Sequence, residues 1–269
     1  DRHAPQEPAG PDRGPIRPRR LMTAVAARFG GVEKLAAWAS DHDVERRELD
    51  RVFDALTREE PSQEAGPLQK PAVFVEGLTS RPWHDRADHP WTAALEAEYP
   101  RIRAEFNRHF DNANLPQHPE SVALAATGKW NTFHFYKMGQ EFAANLAACP
   151  AVATALAEVP GIKSAGMAYF SVMGPGTVVR PHCGFVNTRI RVHLGLVVPP
   201  DCQMRVGAEF RPWTEGSCSV FDDSYEHEVY NRSDHPRAVL LLDAWHPGLT
   251  AVERRAMAYL MHVWRDRVD

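Results

Sequence analysis

The stretch RPHCGFVNTRIRVHLGLVVP, residues 180–199, decides the fold. From Thr188 to Leu196 charged and apolar side chains alternate, and successive residues of a β-strand point to opposite faces. Arg189, Arg191 and His193 therefore share one face, while Ile190, Val192, Leu194 and Leu196 share the other. One face is core and the other is cationic. An edge strand with solvated arginines would give the same pattern; the neighbourhood argues against it. His182 lies just upstream, directly after a proline, and His227 lies inside the acidic run DDSYEHE at the start of another short strand. Two histidines at strand ends suit a metal held between sheets, although a lone buried histidine is more often a core residue whose hydrogen bonds are satisfied locally.

Outward from this strand the texture is uniform. KWNTFHFYKMG, AGMAYFSVM, CSVFDD, HEVYN and RAVLLLDAW all read as short strands separated by Gly, Pro and Asn turns. That rhythm predicts a mainly β fold, an antiparallel sandwich or double-stranded barrel with helices outside and a closing helix from Ala251 to Trp264. Upstream, AVFVEGL (72–78) predicts a strand. Trp91, Leu95, Tyr99, Ile102 and Phe106 line one helical face, which Pro100 should kink or split.

Residues 1–19 carry prolines and charges with little to bury, and predict a flexible tail. Residues 20–70 predict a helical N-terminal extension (Leu21, Val25 and Phe29, then Val44, Leu49, Val52, Phe53 and Leu56) that ends in the proline-flanked linker EEPSQEAGPLQKP, leaving 71–269 as the main domain.

Composition narrows the function classes. The chain has 269 residues, 43% of them hydrophobic, enough for a sizeable core. With 31 basic against 35 acidic residues the net charge of -4 sets up no field for nucleic acid or an acidic membrane surface. Cys149, Cys183, Cys202 and Cys218 show no paired metal spacing and predict reduced thiols. No apolar run of membrane-spanning length and no leader is visible, so a cytoplasmic address is expected.

Three segments, SVMGPGTVVRPHCGFVNTRIRVHLGLVVPPDC, EGSCSVFDDSYEHEVYN and RAVLLLDAWHP, resemble the aspartyl/asparaginyl β-hydroxylase family of Fe(II)- and 2-oxoglutarate-dependent oxygenases. FVEGLTSRPWHD and KWNTFHFYKMG resemble the family's earlier blocks, so the likeness spans roughly Val73 to Leu249. It implies a double-stranded β-helix (jelly-roll or cupin-like) core with Fe(II) held by His182 and His227. Many such iron sites add a carboxylate two residues after the first histidine; here that position is Gly184. The family resembles this chain in lacking it, and Asp223 matches its acidic partner beyond the metal. For 2-oxoglutarate the resemblance implies Arg237 on the distal carboxylate, Ser171, Arg191 and His193 completing the pocket, and Trp130 covering it. Arg189 matches a position that contacts the substrate carboxylate, with a supporting charge partner as the alternative. Asn187, Asp222 and Glu226 read as structural or supporting. Where peptide-acting members carry HTGPTN this chain has HCGFVN, so Phe185 and Val186 are expected to change the mouth of the site.

The function implied is hydroxylation, with O2 and 2-oxoglutarate consumed, of an aspartyl/asparaginyl-like or other amino-acid-derived substrate, commonly at the β-carbon. The substrate would be a small molecule, carrier-bound or peptidyl. Two alternatives stay open: another oxidation at the same iron, such as halogenation in the place Gly184 leaves, and a non-catalytic 2-oxoglutarate-binding sensor.

Overall fold

The computed structural model describes residues 31–109 and 115–268. The tail expected over 1–19, and Leu21, Val25 and Phe29, lie outside the described residues.

The β-rich half forms β1 (Ala125–Thr127), β2 (Trp130–Lys137), β3 (Gln140–Glu141), β4 (Ala168–Met173), β5 (Val178–His182), β6 (Arg189–Val197), β7 (Cys202–Val206), β8 (Glu209–Pro212), β9 (Cys218–Phe221), β10 (His227–Asn231) and β11 (Arg237–Trp245). They pair antiparallel in two sheets, ordered β1-β5-β10-β7-β8 and β3-β2-β4-β11-β6-β9. The core is a double-stranded β-helix with flanking helices. All nine residues of β11 are buried, and their parity divides them between two environments. Ala238, Leu240, Leu242 and Ala244 join Ile190, Val192, Leu194 and Leu196 under helices outside the larger sheet. Val239 and Leu241 point between the sheets, against Met204, Val206 and Val229 of the smaller one. Each fully buried leucine contributes roughly 1.5–3 kcal/mol, so register is strongly set, and the polar residues of the inner parity are carried into the barrel with it.

The helices are α1 (Gly31–Asp41), α2 (Asp50–Thr57), α3 (Thr92–His109), α4 (Ser121–Leu124), α5 (Ala143–Ala148), α6 (Pro150–Ala157), α7 (Ile162–Ala165) and α8 (Ala251–Val268). Helix α3 runs through Pro100 without being split. Leu95, Ile102 and Phe106 pack with Val152 and Leu156 of α6 over Phe170, which outweighs the one backbone bond a proline removes. Leu35, Trp38, Val52, Phe53 and Leu56 of α1 and α2 share a second core with Met257, Leu260, Met261 and Trp264 of α8. Arg51 donates to both carboxylate oxygens of Glu253, and to the carbonyls of Gly248 at 2.8 Å and Glu76 at 3.2 Å.

The segment AVFVEGL is not a strand. Val73 makes a single parallel bridge to Val186, and the Val75 backbone is taken by a side chain, Asn187, whose Oδ1 accepts from Val75 N at 2.8 Å while its Nδ2 donates to Val75 O at 2.9 Å. The four cysteines are free thiols. Among the described residues no helix is long and apolar enough to cross a membrane.

Candidate active site

The run DDSYEHE begins with a tight turn in which Ser224 N donates to Asp222 Oδ1 at 2.9 Å and Tyr225 N donates to Asp222 O at 3.3 Å. That turn delivers His227 to the first position of β10, directly opposite His182, the last residue of β5. The two imidazole centroids stand 4.1 Å apart. His182 Nδ1 lies 2.7 Å from the carbonyl of Arg180, and His227 Nδ1 lies 2.9 Å from that of Tyr225. A carbonyl only accepts, so each Nδ1 carries the proton and each Nε2 keeps its lone pair, the tautomer a metal ligand needs. Burial lowers both pKa values, His227 well below the ordinary range, which keeps the rings neutral. Among the described residues no group of three or more His, Cys, Asp or Glu side chains gathers as a metal site, so these two histidines stand as a pair.

The same cavity holds a cation. Trp130, Tyr169, Ser171, Arg191, His193 and Arg237 line it together with both histidines. Arg237 is 1% exposed, yet no carboxylate among the described residues pairs with it. Its guanidinium lies 4.0 Å from the ring centroid of Trp213, Nη1 reaches Ser171 Oγ at 3.5 Å, and Nε has no partner. Burial lowers its pKa to about 10, so it remains charged at neutral pH. His193 is held neutral, well below its ordinary value, by burial and then by Arg237 and Arg191. Its Nδ1 accepts from Trp213 Nε1 at 3.2 Å, which puts the proton on Nε2, and that buried donor has no partner. Ser171 Oγ accepts from Trp130 Nε1 at 3.0 Å, leaving its hydroxyl proton free. The cavity, whose lining also includes Glu120, thus sets a buried cation that no carboxylate among the described residues pairs with beside unpaired donors, an arrangement chemically suited to an anion.

Arg191 also ties the cavity lining into a charged network. Arg191 Nη1 meets Asp223 Oδ2 at 2.9 Å, Arg191 Nε meets Asp243 Oδ1 at 2.9 Å, and Arg189 Nη1 meets Asp243 Oδ2 at 2.9 Å. Asp243 is held below the usual carboxylate range: burial pushes it up, and the two guanidiniums outweigh that. Burial pushes Asp223 up, against the pull of Arg191. Gly184 N donates to Asp223 O at 2.7 Å, and the Asp223 carboxylate fills the space beside Gly184.

The structure thus gathers His182, His227, Trp130, Ser171, Arg191, His193 and Arg237 around one cavity and sets Asp223 against Gly184. Arg189 is not among the residues lining the cavity; it is turned to Asp243. Nor do Phe185 and Val186 shape the mouth. Val186 is 1% exposed in the helical core, and the Phe185 ring meets Trp264 edge-on at 4.7 Å, because an apolar pair gains more from that core than from solvent. Asn187 brackets Val75, Asp222 builds the turn and accepts from Gln69 Nε2 at 3.2 Å, and Glu226 pairs with Arg205 at 2.9 Å. Three participants escape a reading of the sequence: Asp243, Trp213 and His118, whose ring stacks on Trp130 at 3.6 Å.

The family model described as aspartyl/asparaginyl beta-hydroxylase matches residues 96–247. The chain is 37% identical over 204 residues to aspartate beta-hydroxylase domain-containing protein 2 of Mus musculus, covering 72% of this chain and 59% of that one. It is 34% identical over 195 residues to aspartyl/asparaginyl beta-hydroxylase of Homo sapiens, covering 70% and 26%. It is 35% identical over 174 residues to ornithine lipid ester-linked acyl 2-hydroxylase of Rhizobium tropici, covering 62% and 61%. The match therefore spans less than two thirds of each of these relatives.

Proposed function

The chain belongs to the aspartyl/asparaginyl β-hydroxylase family, and from that premise we propose that it is a hydroxylase dependent on Fe(II), 2-oxoglutarate and O2. Its substrate is an aspartyl/asparaginyl-like or other amino-acid-derived group, free, carrier-bound or peptidyl, attacked at the β-carbon. The observation that carries this reading is Arg237, a buried guanidinium without a carboxylate partner among the described residues, in the cavity that also holds two histidines with free Nε2 atoms.

The residues of the cavity fit these groups. His182 and His227 would hold the metal through Nε2. Arg237, the Ser171 hydroxyl and His193 Nε2–H supply three donors for the distal carboxylate of 2-oxoglutarate, and His193 can donate because Trp213 fixes its tautomer. Trp130 covers that end and is braced by His118. Iron with 2-oxoglutarate and O2 supplies the oxidising power needed to hydroxylate an unactivated carbon. The chain's own work is to bind, orient and keep water from this polar set. The Asp223 carboxylate beside Gly184 is hostile to a halide, which favours hydroxylation over halogenation.

The test is anaerobic titration of the Fe(II)-loaded protein with 2-oxoglutarate, followed by a screen of free, carrier-loaded and peptidyl amino acids. Expected are saturable binding, and succinate above the uncoupled background with a hydroxylated product, in halide-rich buffer as well. Absence of 2-oxoglutarate binding would overturn the reading, and a halogenated main product would overturn hydroxylation.

A further inference from the structure

A lone acid in a strand that is apolar but for Arg237 at its start needs an explanation, and Asp243 is 1% exposed. On β11 it stands directly opposite Arg191 of β6, with Trp245 opposite Arg189, so the antiparallel register delivers both arginines of β6 to one carboxylate. Asp243 Oδ1 accepts from Arg191 Nε at 2.9 Å, and Oδ2 accepts from Arg191 Nη2 at 3.4 Å and from Arg189 Nη1 at 2.9 Å. Its own N–H donates to Met167 O at 2.9 Å, which anchors the strand at that point.

Simple neutralisation of two buried arginines by two aspartates would put one carboxylate on each. The arrangement is instead lopsided: Asp243 takes two guanidiniums and Asp223 takes one. A guanidinium is planar and rigid, so gripping its Nε–Nη2 edge fixes the direction of the remaining nitrogen. For Arg191 that nitrogen is Nη1, and it points at Asp223 Oδ2 at 2.9 Å. Asp223 in turn fills the space beside Gly184, on the side where the chain offers the metal no third ligand.

We infer that Asp243 is a positioning residue: through Arg191 it aims and holds the Asp223 carboxylate beside the metal site. Arg189 is its second anchor and keeps the carboxylate from rotating off Arg191. The inference rests on the reading of His182 and His227 as metal ligands.

Co(II) binding to the full chain, without 2-oxoglutarate, tests it. Asp223→Asn and Asp243→Asn should each weaken Co(II) binding by about 10- to 100-fold, as loss of an outer partner of a metal site does. The double variant should bind no worse than either single one, and both singles should share one Co(II) visible spectrum. Losses that multiply, or an Asp243→Asn spectrum like that of the native chain, would overturn the relay. Because Asp243→Asn strips two buried guanidiniums of a shared carboxylate, Arg189→Met/Asp243→Asn is measured beside it. That pair removes one cation with one anion and leaves Arg191 balanced by Asp223. It should fold and still show the loss; native affinity would mean that Asp243 only neutralises charge. A native chain that takes no Co(II) would sink the metal reading itself, a result distinct from native binding that the Asp243 variants leave unchanged.

Discussion

A Cβ on residue 184 would lie 2.6 Å from the Cγ of Asp223. Carbon atoms do not approach so closely without displacement, so a side chain at 184 and the carboxylate at 223 exclude each other. The place from which three-ligand iron sites take their carboxylate is already filled by the turn that precedes β10.

Gly184→Asp, which would install the missing carboxylate of the commoner triad, should therefore damage the site. Overpacking costs about 1–3 kcal/mol, and a second buried carboxylate adds repulsion. Co(II) titration and thermal melting should both show a loss. Gly184→Asp combined with Asp223→Gly should recover part of it, and a gain in affinity from Gly184→Asp alone would refute the exclusion.

His182→Ala and His227→Ala should each abolish turnover, since a pair of ligands has none to spare. His193→Ala should leave Co(II) binding near native and weaken 2-oxoglutarate binding, because its free donor is Nε2 and its Nδ1 is held by Trp213. The reverse pattern in calorimetry would mean that ligand and pocket have been exchanged.

Arg237→Ala should weaken 2-oxoglutarate binding by roughly 2–5 kcal/mol, the loss of a buried charge partner. Arg237→Lys should restore only part, because an ammonium lacks the guanidinium fork and its stacking over Trp213. Unchanged binding constants in both would place the anion elsewhere.

The inner and outer faces of β6 and β11 were legible because a strand's period of two is local: Arg189, Arg191 and His193 separate from Ile190, Val192 and Leu194 without knowledge of any neighbour. What such a pattern omits is the cross-strand register. Asp243 shares the parity of Arg237 in RAVLLLDAW, a signal that it faces inward, but its position opposite Arg191 exists only once β11 is docked. Trp213 and His118 sit in loops with no period to read. AVFVEGL misleads for a related reason: Val73 and Val75 alternate as in a strand, yet they bury against helices and take an asparagine side chain as partner.

Arg51 and Glu253 join α2 to α8, with side-chain exposures of 29% and 3%. Burial alone would raise the Glu253 pKa; the hydrogen bonds from Arg51 outweigh it, and the value is lowered. A depressed carboxylate contributes stability above its unfolded value that is lost as pH falls through the folded one. Thermal stability should therefore decline below about pH 4. Arg51→Met should destabilise the chain by about 3 kcal/mol, as breaking one partner of a largely buried pair does, and should erase that part of the acid dependence. An unaltered melting profile from pH 3 to 7 would show that the pair carries no stability.

The segment from Cys183 to Thr188, which follows His182, has no strand beside it and borrows its support. Asn187 grips Val75, Val186 bridges Val73, and Phe185 leans on Trp264 at the far end of α8. The aim of His182 is thus inherited from the helical half of the chain. Loosening α1, α2 or α8 would leave both sheets standing while the first histidine lost its aim, so mild heating or a flaw in that distant packing should silence the enzyme well before it unfolds.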